Sequence, residues 1–301
     1  MTTIAEKSRP QGRTGPGDRR GVRPRPFVAS STSTVLVHVL LVFFVILAIG
    51  PVLLIIMNSL KTQQGIFAGP FALPSSETFD LGGYARVFAL GNFDTYYRNS
   101  IVVTVVTTML TVAFSTLAAY AITEYKVPLA PMIASFFIMG IMLPVRLGTV
   151  SILQMMVSWH LVNTVWALIL VYIGMSLPLG VALMVTYFRS APMELKEAAR
   201  MDGANEWQTL SVIVPLVRPG LAAVASITML PIWNDLWFPL ILAPGDNSKT
   251  VTLGVQQFVG QYQNDWPALL ASLVLGAVPL IILFTIFSKQ FIKGLSDGYG
   301  R

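Results

Sequence analysis

The sequence predicts an all-α membrane protein with six spanning helices. Three observations lead there: 54% of the 301 residues are hydrophobic, only 11% are charged, and the apolar residues fall in six long runs without the period-two alternation of a barrel strand. A hydrocarbon layer of about 30 Å takes about 20 apolar residues in a helix, because each backbone amide must find its partner inside the segment.

Residues 1–33 are rich in Pro, Gly, Arg and Ser. They bury too little apolar surface to order themselves and are expected to form a disordered basic tail. A membrane domain is expected over 34–293, with spans at 34–60, 99–123, 131–157, 163–188, 216–243 and 267–288; residues 294–301 trail as a short second tail. Span 1 exceeds the roughly 7–15 residues of a cleavable signal and should be retained. Pro51, Pro144, Pro178, Pro231, Pro239 and Pro279 lie in or near these spans and point to kinks in a bundle, where neighbouring helices satisfy the freed carbonyls. Residues 61–98 mix Gly, Pro and aromatics and read as a folded external loop. Residues 244–266 form a shorter loop on the same side.

Orientation follows from where Lys and Arg fall. Fifteen lie in the two tails, after span 2 and in the segment between spans 4 and 5; Lys61, Arg86, Arg98, Arg146 and Lys249 lie opposite. Both termini and the 189–215 segment should therefore face the cytoplasm. This asymmetry accounts for the net charge of +6, so no nucleic-acid partner is implied. With no cysteine and only His38 and His160, well apart, neither a metal nor another cofactor is expected. Paired acids and bases for an enzyme, and the intramembrane ionisable pairs and inverted repeat of a secondary transporter, are missing as well.

Between spans 4 and 5 lies ELKEAARMDGANEWQTLSVIVP, residues 194–215, which holds Glu194, Lys196, Glu197, Arg200, Asp202 and Glu206 in an otherwise apolar chain. Pro192 followed by Glu194 and Glu197 is an N-terminal helix signal. Gly203 after Asp202 should end that helix in a left-handed conformation, and a second helix should run from Asn205 toward Pro215. A helix resting on lipid headgroups would present bulky apolar residues opposite lysines. This one offers Ala198 and Ala199 flanked by charges of both signs, which suits a protein partner.

Glu197-Ala198-Ala199, three residues, Gly203, then Ile213 and Pro215 resemble the coupling loop of ATP-binding-cassette importer permeases. MDGA at 201–204 and EWQ at 206–208 are similar to its sugar-importer branch, although Pro215 stands one residue nearer the glycine than is usual there, and one residue turns a helix by about 100°. NSLK at 58–61, RNS at 98–100, AAYA at 118–121, LVNT at 161–164, IWNDLWFPLIL at 232–242 and KQFIKGLSDG at 289–298 extend the resemblance across the chain after residue 33. It implies a type I permease fold and the second transmembrane subunit of a maltose-type importer in a bacterial plasma membrane. The implied partners are a homologous permease in a heterodimer, a cytoplasmic ATPase dimer, an extracellular sugar-binding protein and membrane lipid. It also implies that Glu194, Glu197, Ala198, Ala199, Arg200, Asp202, Gly203, Ile213 and Pro215 serve ATPase coupling, and that Lys293, Gly294 and Leu295 make a tail contact with the ATPase. The chain holds no G-x-x-x-x-G-K-[ST] loop, so ATP is hydrolysed elsewhere.

Trp233, Asn234 and Asp235 put a ring, an amide and a carboxylate at depth in span 5. Such a set can grip a sugar or form a gate; alternatively, Asp235 ties span 5 to an outer loop. Arg146 reads as snorkelling to the outer interface and Glu124 as an interfacial residue. Polyamine, phosphate or amino-acid import stands as the alternative to sugar.

Overall fold

The computed structural model describes residues 31–90, 92–125, 128–260 and 264–299. The tail expected over 1–33 lies outside the described residues up to position 30. Thirteen α-helices follow in order among the described residues: α1 Ser31–Asn58, α2 Gln63–Ala68, α3 Gly82–Leu90, α4 Phe93–Glu124, α5 Ala130–Met142, α6 Thr149–Ser158, α7 Val165–Ser190, α8 Met193–Met201, α9 Glu206–Ile213, α10 Arg218–Asn234, α11 Trp237–Leu242, α12 Val251–Val255 and α13 Trp266–Tyr299. The only strand-like pairing among them is an isolated bridge between Lys61 and Phe79.

The chain divides into a unit ending at Gly50 and a unit of residues 51–301. In the first, side chains 34–49 of α1 are exposed all round, as suits a helix whose every face is apolar.

The second unit is built on α4 and α7. Asn99, Val103, Thr107, Thr111, Ser115 and Ala119 are all buried and recur every fourth residue, so one face of α4 is a stripe of mostly small side chains. Such a stripe lets helix backbones approach closely in a membrane. Gly180 of α7 completes the fit, since a Cβ there would stand 3.1 Å from the Ser115 Cβ and 3.3 Å from Val224 Cγ1. Three apolar clusters follow one another along α4: Phe93 and Tyr96 with Val87 and Ala268, Val103 with Tyr172, Ile232 and Phe238, and Ala119 and Tyr120 with Phe188 and Ile213.

By length and composition α1, α4 and α7 can each cross a membrane; α5 with α6, and α9 with α10, reach that length as pairs bent by 80° and 81°. The shorter apolar stretch Trp266–Ile282 opens α13. Span 3 is therefore not the continuous helix expected over 131–157. Pro144 disfavours helical backbone at Leu143, where φ and ψ are −72° and 122°, and a 3₁₀ turn over Val145–Gly148 redirects the chain. Span 5 is likewise interrupted, because Asp235 is extended and α11 starts afresh at Trp237. The tail also differs: α13 continues to Tyr299, so Lys293, Gly294 and Leu295 lie on a helix. Phe287, Phe291 and Leu295 recur every fourth residue, and Gly294 and Gly298 cost only about 1 kcal/mol each.

Residues 61–98 are folded, as expected. Lys61 is buried and donates to Asn58 Oδ1 at 3.1 Å and the Gly69 carbonyl at 3.0 Å, while Asn58 donates to the Pro70 carbonyl at 2.8 Å. Asn99 donates to the carbonyls of Asn247 and Lys249, and Ser100 accepts from the Val251 N–H. Thus NSLK and RNS are the residues that clasp the connecting loops.

Candidate coupling loop and helix-break cluster

α8 starts after Pro192, carries Glu194 in its first turn and Arg200 in its last, and is capped by Asp202. Gly203 has φ +81°, and the Ala204 N–H returns to the Ala199 carbonyl at 3.0 Å, the closure of a left-handed helix end. Asn205 and Gln208 then form a reciprocal capping box for α9, satisfying two donors that a helix start leaves unpaired. The turn from α8 into α9 is thus fixed by local chemistry alone.

The two faces of α8 differ. Lys196 is its only buried residue. The ammonium donates to Glu124 Oε1 and, at 3.4 Å, to the Phe188 carbonyl. Arg200 lies 3.4 Å from Glu124 and 3.6 Å from Glu206, and the Tyr120 hydroxyl donates to Glu206 Oε2 at 2.6 Å. Burial pulls the Arg200 guanidinium down, but Glu206 and Glu124 outweigh it and hold it above the ordinary arginine range. The Glu124 side chain is 4% exposed. It is therefore no free interfacial residue but the centre of the cluster; Lys196 and Arg200, four apart beside a lone acid ending span 2, were the available signal.

On the opposite face Glu194, Glu197 and Ala198 are exposed and Ala199 is half-buried; Asp202, Gly203 and Pro215 are exposed as well. Apolar side chains join them, with Met201 87% and Trp207 70% exposed. Ile213 is turned the other way, buried among Phe188, Leu210 and Val217.

Trp233, Asn234 and Asp235 do not converge. Trp233 is buried, donating from its indole to the Gly276 carbonyl at 3.0 Å; Asn234 faces outward and bonds back to the Leu230 carbonyl. The Asp235 carboxylate, 11% exposed, accepts from the Tyr172 hydroxyl at 2.8 Å and the Phe238 N–H at 3.1 Å, and pairs with Arg146 at 3.5 Å. Arg146 is 67% exposed, yet it is tethered and not simply snorkelling: its guanidinium lies 6.0 Å from the Trp237 ring centroid. Trp237 in turn donates to Thr149 Oγ1 at 3.0 Å. The breaks in spans 3 and 5 are thereby tied together, and the open ring is Trp237. Among the described residues no three His, Asp or Glu side chains gather as metal ligands.

Residues 111–297 match the family described as "Binding-protein-dependent transport system inner membrane component". The diacetylchitobiose uptake system permease protein NgcG of Streptomyces coelicolor is 30% identical over 267 residues, covering 88% of each chain. The multiple sugar-binding transport system permease protein MsmG of Streptococcus mutans is 33% identical over 266 residues, 87% of this chain and 95% of that one. The trehalose transport system permease protein SugB of Mycobacterium tuberculosis is 31% identical over 254 residues, 83% of this chain and 92% of that one. In fold, the chain is similar to one in the crystal structure of a bacterial ABC transporter involved in the import of the acidic polysaccharide alginate, with a TM-score of 0.77 at 24% identity, over 89% of this chain and all of that one.

Proposed function

The chain belongs to the inner-membrane components of binding-protein-dependent ATP-binding-cassette importers, and on that premise we propose that it carries a sugar or oligosaccharide across the membrane as one half of a heterodimer with a homologous permease. It is a multi-pass transport subunit of type I permease fold, not an enzyme. ATP is hydrolysed by a partner ATPase and solute is delivered by a binding protein. Both termini and the α8–α9 loop lie on the cytoplasmic side in this reading, supported by the fifteen-to-five division of Lys and Arg.

The observation that carries the mechanism is the open face of α8: Glu194, Glu197, Ala198 and Met201 are exposed on a helix whose other face is anchored. When the ATPase dimer closes on nucleotide, it displaces this face, and the α8–α9 loop passes the displacement into the helices it is attached to. Access then switches between two arrangements, a bistable element biased by a partner. The helix breaks joined by Arg146 and Asp235 are the gate in this scheme, with Trp237 and Asn234 on the solute side; irregular backbone within a span is stable only inside protein or along a water-filled cavity. The end of α13 around Lys293, Gly294 and Leu295 makes a second contact with the ATPase.

Sugar as the solute rests on the relatives' permease descriptions. In cells lacking this chain, one of radiolabelled maltose, trehalose or diacetylchitobiose should fail to accumulate while putrescine, phosphate and amino-acid uptake persist. Loss of one of the latter with all sugar uptake intact overturns the assignment.

A further inference from the structure

We propose that the Glu124–Lys196 pair, extended by Arg200, Glu206 and Tyr120, is a clamp that fixes the α8–α9 loop to the Glu124 end of α4, so that α4 is the helix that receives the loop's displacement. The proposal rests on the reading of α8 as the ATPase-docking helix and says where the force goes next.

α8 buries no apolar side chain; its sole buried residue is Lys196. In sequence the loop continues only α7 and α10, whereas Glu124 stands 72 residues before Lys196. Two acids and two cations balance within the cluster, and the Phe188 carbonyl takes a further share of the ammonium. Exposed pairs hold little, but the Glu124 and Lys196 side chains are only 4% and 7% exposed. Removing one leaves the other buried without its partner, which is strongly unfavourable. An apolar face could rotate or slide by a turn and still bury similar surface, whereas a two-centre ionic pair has one register. α4 in turn carries a member of each apolar cluster of the second unit and reaches Asn99 and Ser100 at the second connecting loop. Movement at Glu124 is therefore movement along the whole bundle. Lys196 and Glu124 are positioning residues; neither lies on the open face of α8.

The chain has no cysteine, so Leu147→Cys, at an exposed site in the span 3 break, is a specific reporter. It is labelled with a thiol reagent in the reconstituted complex of this chain, its partner permease and its ATPase, with and without ATP and vanadate. In Glu124→Gln and Lys196→Met the ATPase should remain bound, while the nucleotide-dependent change in labelling rate falls by roughly two- to thirty-fold, the span that mutations along a coupling network give. A parental response in either single variant overturns the clamp. Glu197→Lys, on the open face, is the control for the underlying reading. If it releases the ATPase while the clamp variants respond normally, only the clamp falls; if it changes nothing, the docking reading falls with it.

Discussion

Gly203 is the residue on which the aim of α8 against α9 depends. Its φ is +81° and no atom beyond the adjoining residues lies within 4 Å of where a Cβ would stand, so the cost of any side chain is in the backbone and not in crowding. A β-branched residue meets a penalty of roughly 1–2 kcal/mol, while asparagine tolerates the left-handed region. Gly203→Val should therefore reduce co-purification of the ATPase and Gly203→Asn should not, with equal amounts of both variants in the membrane. Gly203, Pro192 and the start of α9 at Asn205 were legible in the sequence because their partners lie within a few residues. Glu124 was not, since its partners are 72 and 76 positions away, and the spacing of Lys196 and Arg200 marks a shared helix face without naming the acid that it meets. The Trp233 ring is evident in the sequence, but the Gly276 carbonyl, brought near only by folding, decides where that ring points.

Among the elements, α3 and α13 show how the 61–98 segment is held. A Cβ on Gly83 would lie 2.6 Å from the Pro267 carbonyl oxygen, which is backbone and cannot turn aside. Gly83→Ala should push α3 off α13 and raise hydrogen exchange over residues 82–90. Arg86 and Asp265 close the same contact with two hydrogen bonds of 2.6 and 3.0 Å. Burial pushes the Asp265 carboxyl up, but Arg86 and the Ala268 N–H outweigh it and hold it below the ordinary aspartate range. With a lowered folded value, the pair's contribution is complete above the ordinary range and is lost as pH falls through the depressed one. Protection over 82–90, taken relative to the intrinsic exchange rate at each pH, should fall on acidification in the parent, whereas Asp265→Asn should already be loosened at neutral pH and respond little. Long apolar helices such as α1, α4 and α7 were readable from apolar run lengths. The bends in spans 3 and 5 were not, because membrane helices also carry prolines without breaking, and it is the Arg146–Asp235 tie that distinguishes an interruption from a kink.

For the whole molecule, the charge division requires residues 75 and 255 outside and residue 205 inside. Single cysteines introduced at these positions can be read in intact cells with an impermeant thiol reagent, and labelling of position 205 from the exterior would reverse the topology. In the proposed mechanism, ATP hydrolysis by a separate subunit is turned into solute movement through the open face of α8. Glu197→Lys reverses a charge on that face without touching the Glu124 cluster, so the protein should reach the membrane in normal amount. The direct test measures sugar uptake and ATPase retention together in this variant. Uptake should fall, and the ATPase should either wash off in mild detergent or hydrolyse ATP without transport; parental uptake with the ATPase retained and coupled would remove α8 from the mechanism.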